Sequence, residues 1–325
     1  MCTALTFSQG GLYFGRNMDL EYHFGERVVI TPRGYRLETQ REGTLSVRYA
    51  MIGMATVVED YPLYAEAANE KGLFMAGLNF PGNARYGTGE GPRALTPYEL
   101  IPFVLGTCAT LAQARELLGQ VTLLDHPFRP TMPLAPLHWM VSDTSGSLVV
   151  ESTAEGVQLY ENPYGVLTNN PPFPFHRENV RQYLHLSADA PENRFSQALP
   201  LTPFGQGMGA LGLPGDFSPA SRFVKALFCK MNSQCQEDPA ACVTQVFHIL
   251  DAVAMVKGAV LTPEGKPDVT TYSCCIQAET GTYYYKTYEN SQIVQVDLTE
   301  ARRTAPGLTV FPLRNTPQFL VEEGR

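Results

Sequence analysis

Apolar and polar residues alternate in short blocks along much of the chain, a pattern typical of half-buried strands. The chain opens with a predicted hairpin, in which residues 2–8 and 12–16 pair across a turn at Gly10 and Gly11. The polar residues within 17–20 interrupt this pattern and are expected to follow the second strand. Other predicted strands cover residues 27–31, 45–52, 73–78, 138–142, 147–153, 157–160, 164–168, 270–277, 282–288 and 292–298.

Two pairs of predicted helices separate these groups of strands. In the first pair, Thr96 and Glu99 form a capping-box pattern that indicates a helix start at Thr96, and a second helix covers residues 110–118. The second pair is predicted over residues 220–230 and 238–257, each beside a proline suited to the first helical turn. This order predicts an α+β fold, with two antiparallel sheets stacked face to face between helix layers.

The chain is expected to form a single domain over residues 1–325, because no glycine- or serine-rich linker divides it. The stretch 176–212 has a weak pattern and a polar composition, and we interpret it as a surface or assembly insertion. No run approaches the ~20 apolar residues of a membrane span. No secretory signal pattern is present either, which predicts a cytoplasmic protein without a membrane partner. A formal net charge of −8 argues against a nucleic-acid partner.

The seven cysteines are expected to be thiols, because an odd count in a protein predicted to be cytoplasmic does not suggest a disulfide framework. Cys229, Cys235 and Cys242 lack CxxC spacing, and no histidine cluster completes a zinc site. None of the six histidines lies in a recognised catalytic pattern. We therefore expect neither a metal nor a cofactor.

Cys2 combines two groups that could carry chemistry. Removal of Met1 would leave a residue with both a thiol and a free α-amine, whose ordinary pKa lies near ~7.7–8.0. Such an amine can accept the proton of the thiol, as in covalent catalysis by N-terminal nucleophiles. The predicted hairpin would also bring Arg16 and Asp19 close to Cys2. On position alone, an ordinary cysteine near a frayed chain end is the simpler interpretation.

Short motifs spread over almost the whole chain change this interpretation. They are MCTA at residues 1–4, FGRNMD at 14–19, NEKGL at 69–73, AGLNFPG at 76–82, GVLTNNP at 165–171, LPGDFS at 213–218, SRF at 221–223, YSCC at 272–275 and YYY at 283–285. In this order they resemble the choloylglycine hydrolases of the N-terminal nucleophile superfamily, and bile salt hydrolases in particular. The resemblance implies a four-layer αββα fold whose nucleophile begins a central strand.

The resemblance also implies how the nucleophile is generated. Removal of Met1 would activate the protein, with Cys2 as the nucleophile and its freed amine as the base. Asp19 corresponds to the carboxylate that orients the amine and the thiol. Arg16 and Arg222 correspond to arginines that flank the thiol, where positive charge favours the thiolate.

Two asparagines complete the catalytic set that the resemblance implies. Asn169 corresponds to the residue whose side-chain amide faces the developing oxyanion, and Asn79 corresponds to its partner. Preorganised donors of this kind are worth ~2.7–4 kcal/mol each in the transition state. The catalytic prediction therefore combines residues from distant parts of the chain.

The predicted substrate is a bile acid joined by an amide bond to glycine or taurine. Residues Asn79 and Asn170 resemble the bile salt hydrolases more than the penicillin V acylases, which tend to carry tyrosine and serine there. Hydrolysis of other N-acyl amides or of lactones is an alternative with the same machinery, and a non-catalytic steroid binder is another. An apolar slot for the steroid is predicted from Met18, Leu20, Tyr22, Phe24 and Phe80. The resemblance also implies a homotetramer.

Overall fold

Two large antiparallel sheets form the centre of the structure, a computed structural model that describes residues 1–89 and 91–324. With strands numbered in chain order, the first sheet has the spatial order β14 (Val166–Leu167), β1 (Cys2–Ser8), β2 (Leu12–Leu20), β16 (Pro267–Gln277), β17 (Tyr283–Thr287) and β18 (Val294–Val296), and β15 (Val260–Leu261) pairs with β16. The N-terminal strand β1 therefore lies inside the sheet, paired on both sides.

The second sheet collects most of the remaining strands. Its spatial order is β13 (Gly156–Glu161), β12 (Gly146–Thr153), β11 (Leu137–Asp143), β8 (Phe74–Asn79), β7 (Tyr61–Asn69), β6 (Met51–Val58), β3 (Arg27–Thr31) and β19 (Thr309–Pro312). Two small ribbons lie beside it: β4 (Arg36–Glu38) pairs with β5 (Thr44–Ser46), and β9 (Arg93–Leu95) pairs in parallel with β10 (Val121–Leu123).

Helices cover both outer faces of this sandwich. They are α1 (Leu100–Thr107), α2 (Leu111–Leu118), α3 (Phe173–Asn179), α4 (Pro219–Met231), α5 (Pro239–Asp251) and α6 (Glu300–Arg303). Helices α4 and α5 pack on the first sheet, and α1 and α2 pack on the second. One buried apolar cluster joins the two sheets and α5, and another lies between the second sheet and α1 and α2. The predicted four-layer αββα fold is confirmed.

The helix predictions are right in type and less accurate at the ends. Helix α1 begins at Leu100 and not at Thr96, although Glu99 Oε2 does accept the Thr96 N–H at 2.7 Å, as a capping box requires. Helix α5 ends at Asp251, six residues before the predicted end. No helix among residues 1–89 and 91–324 is long and apolar enough to cross a membrane.

The strand predictions fail where pairing overrides the local pattern. The predicted strand 45–52 is split, because β5 ends at Ser46 and β6 begins at Met51. Strand β7 has no counterpart among the predictions. Strand β2 does not stop at Arg16 but continues to Leu20, since its ladders with β1 and β16 satisfy the backbone on both sides.

The stretch 176–212 is largely exposed, as expected for a surface segment. It contains the end of α3 and short 3₁₀ turns at Val180–Tyr183 and Met208–Ala210. Neither its role in assembly nor the single-domain organisation is tested by this fold, and both stay predictions.

The register of the first hairpin determines what surrounds the chain start. Cys2 pairs with Met18 and Ala4 pairs with Arg16, so the chain end lies beside the polar residues of β2. Helix α5 packs closely over this strand, because a Cβ at Gly15 would lie only 2.7 Å from Val246 Cγ1. The absence of a side chain at Gly15 therefore lets α5 approach β2 closely.

Lys230 connects α4 to the edge of the first sheet. Its Nζ donates to the Tyr164 carbonyl at 2.6 Å and to Thr6 Oγ1 at 3.3 Å. Burial lowers the pKa of Lys230 to about 8. Below that pH the buried ammonium costs stability; above it the folded protein releases a proton that the unfolded chain keeps until about pH 10.5.

We therefore expect the free energy of unfolding to rise between pH 7.5 and 9.5, relative to a Lys230→Met variant, because the unfolded state binds more protons in this window. Urea unfolding of both proteins across the range measures the difference. Lys225→Met, on the same helix, serves as the control. If the free energy of unfolding changed with pH equally in the wild type and in Lys230→Met, the lowered pKa assigned to Lys230 would be contradicted.

Candidate active site

The thiol of Cys2 lies at the start of β1 and is buried, with 2% of the residue exposed. Its Sγ accepts a hydrogen bond from Arg16 Nη2 at 3.4 Å and lies 3.7 Å from Met18 Sδ. Both neighbours come from β2, where Met18 lies directly opposite Cys2 and Arg16 lies two residues before Met18. The register therefore places the Arg16 guanidinium against the thiol.

Arg16 is held at both ends of its guanidinium group. Nη1 donates to the Ala65 carbonyl at 2.6 Å and to Glu66 Oε2 at 2.7 Å, while Nη2 donates to the Gly77 carbonyl at 2.7 Å. Burial alone would lower the pKa of Arg16, but the charges of Cys2, Tyr272 and Glu66 raise it well above its usual value. The side chain is therefore a permanent cation beside the thiol.

Asp19 lies next to the peptide bond between Met1 and Cys2. The Asp19 N–H donates to the Met1 carbonyl at 2.8 Å, and the Met1 amine donates to the Asp19 carbonyl at 2.6 Å and to Asp268 Oδ2 at 3.2 Å. Asp19 Oδ1 accepts from Thr270 Oγ1 at 2.6 Å. Asp19 Oδ2 is buried without a hydrogen-bond donor among the described residues.

The charge of Asp19 is only partly compensated. Burial raises the pKa of Asp19, against the opposing effects of Arg222 and the chain's amino group. The nearest arginine nitrogen, Arg222 Nη1, is 3.9 Å from Asp19 Oδ2. Burial likewise lowers the pKa of Arg222, and Asp19 opposes this shift. A further donor directed at Oδ2 would remove an unfavourable buried acceptor.

Arg222, near the start of α4, ties the helix to the chain start. Its Nη1 donates to the Cys2 carbonyl at 2.6 Å and to Thr3 Oγ1 at 2.7 Å, and its Nη2 donates to Asn169 Oδ1 at 2.7 Å. The backbone N–H of Cys2 donates to the same Asn169 oxygen at 2.9 Å. Arg222 thus contacts the backbone of Cys2, whereas Arg16 contacts its thiol.

Asn169, which follows β14, contacts Asn79 at the end of β8. Asn169 Nδ2 donates to the Asn79 carbonyl at 2.7 Å, and Asn170 Nδ2 donates to the Pro81 carbonyl at 2.6 Å. With its Oδ1 held by Cys2 and Arg222, the amide of Asn169 has a fixed orientation, and its second N–H remains for another acceptor. Asn169 therefore lies beside the backbone of Cys2 with its amide group fixed.

Two buried histidines hold the backbone at Thr168 and Asn169. His138 Nε2 bonds to the Thr168 carbonyl at 3.0 Å, and His176 Nε2 bonds to the Asn169 carbonyl at 2.9 Å. Burial lowers the pKa of His176, so its neutral ring donates from Nε2. Both histidines fix the backbone at Thr168 and Asn169.

A cavity of about 510 Å³ leads to the thiol. Its floor includes Cys2 and Arg16, and its walls are mainly apolar: Met18, Leu20, Tyr22, Leu63, Tyr64, Ala65, Pro97, Tyr98, Ile101, Phe128, residues 132–137 and Trp139, together with Glu21, Gly77 and Asn79. Such a site suits a large apolar ligand with a polar group directed at Cys2.

The predicted slot residues are only partly present in this wall. Met18, Leu20 and Tyr22 line the cavity, but Phe24 and Phe80 do not. Phe80 is fully buried and stacks on His138, with ring centroids 4.3 Å apart. Phe24 packs partly buried against the core that joins the sheets.

Sequence reasoning missed two groups of residues around the site. The distal cavity wall comes from Tyr98, Phe128 and the proline-rich residues 132–137, whose irregular backbone has no periodic signal. Glu66, behind Arg16, lies on the unpredicted strand β7, where a lone acidic residue in an apolar run was the available signal. Within residues 1–89 and 91–324, no group of three or more potential ligands could hold a metal ion.

Comparisons with known proteins agree with this geometry. The family model for linear amide C–N hydrolases of the choloylglycine hydrolase family matches residues 2–311. The bile salt hydrolase/transferase of Lactiplantibacillus plantarum is 44% identical over 320 residues, covering 98% of this chain and 99% of that protein. The crystal structure of a mutant conjugated bile acid hydrolase from Clostridium perfringens aligns with a TM-score of 0.92 at 37% identity, covering 99% of this chain and all of that one.

A more distant structure shares the fold alone. Penicillin V acylase from Agrobacterium tumefaciens aligns with a TM-score of 0.74 at 19% identity, covering 96% of this chain and 91% of that one. The match of the family model over nearly the whole chain, together with the identity to full-length relatives, decides the assignment. This protein belongs to the choloylglycine hydrolase family of linear amide C–N hydrolases.

Proposed function

We propose that this protein hydrolyses the amide bond of bile acids conjugated to glycine or taurine. The observation that carries the proposal is an apolar cavity of about 510 Å³ with the Cys2 thiol and the Arg16 guanidinium in its floor. The apolar wall suits a steroid, and the polar floor suits an amide group. Relatives named for bile salt hydrolysis match the chain over 92–98% of its length at 40–44% identity.

The reaction begins after Met1 has been removed. The Cys2 nitrogen, already held by Asn169 Oδ1 at 2.9 Å, then becomes a free amine that takes the thiol proton. The freed amine also provides a donor for Asp19 Oδ2, the buried acceptor that has no hydrogen-bond partner in the described chain. Asp19 therefore orients the amine as the base.

The thiolate attacks the amide carbonyl and forms a carbon–sulfur bond, and the carbonyl π electrons move onto oxygen. The free N–H of Asn169 donates to this oxyanion, with Asn79 fixing the orientation of the amide. The protonated amine of Cys2 gives its proton to the departing glycine or taurine nitrogen as the carbon–nitrogen bond breaks. A thioester of Cys2 remains.

Water completes the turnover. The neutral amine of Cys2 accepts a proton from water, the resulting hydroxide attacks the thioester carbonyl, and the thiolate leaves as the bile acid is released. Arg16 stabilises the departing thiolate through its Nη2 contact. Arg222 keeps the carbonyl of Cys2 and the side chain of Asn169 in place through both steps.

Substitution of the nucleophile tests this proposal. Cys2→Ala and Cys2→Ser should remain folded, with little or no release of glycine from glycocholate, because the thioester cannot form. Turnover assays on conjugated bile salts, penicillin V and an acyl homoserine lactone measure the activity and its preference, with Cys229→Ala as the control. Full activity of Cys2→Ala would exclude the mechanism, and the absence of turnover by the wild type would favour a steroid binder.

The mass of the intact protein tests the activation step. An active preparation should lack Met1, because the base is the amine that the removal of Met1 frees. Mass spectrometry of the same sample used for the assay gives the answer directly. An active protein that retains Met1 would contradict the role of the amine.

Asn169→Ala tests the oxyanion contact. We expect kcat to fall by about 10²–10³-fold, the typical cost of removing one oxyanion donor. Cys2 should still be alkylated by iodoacetamide, because Arg16 remains on the thiol. Asn232→Ala on the surface is the matched control. An unchanged kcat would place the oxyanion elsewhere.

We also propose that residues 176–212 form an assembly surface of a homotetramer. This segment exposes large apolar side chains, including Leu184, Phe195 and Phe204 at 84–91% exposure, which is unfavourable for a surface left in water. Light scattering should give a tetramer for the wild type and a smaller species for Phe195→Ser/Phe204→Ser. Phe319→Ser, an exposed control, should stay tetrameric. A monomeric wild type, or a tetrameric double variant, would contradict this surface.

A further inference from the structure

Glu66 is a fully buried carboxylate whose partners come from the opposite sheet. Oε2 accepts from Arg16 Nη1 at 2.7 Å and from the Tyr272 hydroxyl at 2.8 Å, and Oε1 accepts from the Tyr283 hydroxyl at 2.7 Å and, more weakly, from Cys274 Sγ at 3.5 Å. Glu66 lies on β7 in the second sheet, whereas these partners lie on strands of the first. The carboxylate therefore joins the two sheets behind the thiol.

The backbone of β7 is shaped at this position. The pairing with β6 shifts between Met54 opposite Glu66 and Ala55 opposite Tyr64, which leaves Ala65 as a β-bulge. Bulges next to active sites commonly redirect side chains. Here the bulge directs both the Ala65 carbonyl and the Glu66 carboxylate to the same nitrogen, Arg16 Nη1.

Close packing on β6 supports the same geometry. A Cβ at Gly53 would lie 2.0 Å from the Glu66 carbonyl oxygen, so the strands can approach at this point only because residue 53 is glycine. The bulge and the glycine are independent of the hydrogen bonds, and all of them fix Glu66 against Arg16. Arg16 in turn presents Nη2 to Cys2 Sγ.

We propose that Glu66 is a positioning residue for the reaction at Cys2, which anchors the guanidinium of Arg16 and balances its charge beside the thiol. This inference rests on the proposed function, because it takes Cys2 as the nucleophile. Glu66 does not line the cavity and touches no reacting atom. Its effect is transmitted through Arg16, which removal of a buried partner would leave uncompensated.

The charge balance predicts shifts of opposite sign in two near-isosteric variants. Glu66→Gln keeps an acceptor for Arg16 but removes the negative charge, so the thiolate should form at lower pH. Tyr283→Phe removes a donor from the carboxylate and leaves more of its charge acting on Arg16, so the thiolate should form at higher pH. The other charged groups near Cys2, namely Arg222, Asp19 and Asp268, are the same in both variants.

The test measures the pH dependence of iodoacetamide alkylation at Cys2, followed by peptide mass spectrometry to separate it from the other cysteines. We expect the midpoint to fall by about one pH unit in Glu66→Gln, the lower end of the range for a neighbouring charge. The midpoint should rise in Tyr283→Phe. Glu70→Gln, which alters another glutamate paired with an arginine, Arg33, is the matched control and should leave the midpoint unchanged.

Steady-state kinetics on a conjugated bile salt provide a second readout. In Glu66→Gln, kcat should fall by about 10–100-fold, the range open to a small misplacement of a catalytic group. Part of the loss follows because a less basic thiolate is a weaker nucleophile. KM should stay within about twofold, because Glu66 does not contact the substrate cavity.

A folded Glu66→Gln with the wild-type midpoint would overturn the proposal, as would shifts of the same sign in the two variants. If Glu66→Gln does not fold, Tyr283→Phe decides alone, and a wild-type midpoint there would overturn it. The alkylation assay needs no substrate. Shifted midpoints in a protein that hydrolyses no bile salt would refute the proposed function but support the position of Glu66. Bile salt turnover with unshifted midpoints would support the proposed function but refute the role of Glu66.

Discussion

The contact between the Arg16 guanidinium and the Cys2 thiol depends on burying a permanent cation between two β-sheets. Arg16 and Arg222 are each about 1% exposed, so each needs polar partners in the interior. The Ala65 and Gly77 carbonyls and Glu66 provide them for Arg16, and the Cys2 carbonyl and Asn169 provide them for Arg222. The groups that accept hydrogen bonds from the arginines are therefore the groups that surround Cys2.

The first sheet explains how a chain end can be held in a fixed position. Chain ends usually fray, but β1 is paired with β2 on one side and with β14 on the other. The Arg222 contact to the Cys2 carbonyl adds a tie from helix α4. Removal of Met1 leaves these contacts intact, because they involve Cys2 and the residues after it. In the proposed mechanism, the freed amine occupies a fixed position beside Asp19.

The parts of the site that the sequence pattern predicted are those set by local geometry. A two-glycine turn fixed the hairpin, and the hairpin alone brings Arg16 and Asp19 to Cys2. Asn79, Asn169 and Arg222 arrive from distant segments, and no period or spacing indicates their meeting, so only the family resemblance suggested it. Neither the sequence pattern nor the family resemblance indicated Glu66, since strand β7 was not predicted and a bulge sets the direction of the side chain.

The sequence pattern also predicted only part of the cavity wall. Met18, Leu20 and Tyr22 belong to or directly follow strand β2, so the hairpin pattern placed them near Cys2. Phe80 follows Asn79 in sequence, yet the loop that exposes the backbone of Asn79 to Asn169 turns Phe80 into the core against His138. Asn79 and Phe80, although adjacent in sequence, thus lie on opposite sides of the cavity wall. The arrangement of Cys2, Arg16 and Asp19 comes from paired strands, while the shape of the distal cavity wall comes mainly from irregular backbone that only the folded chain defines.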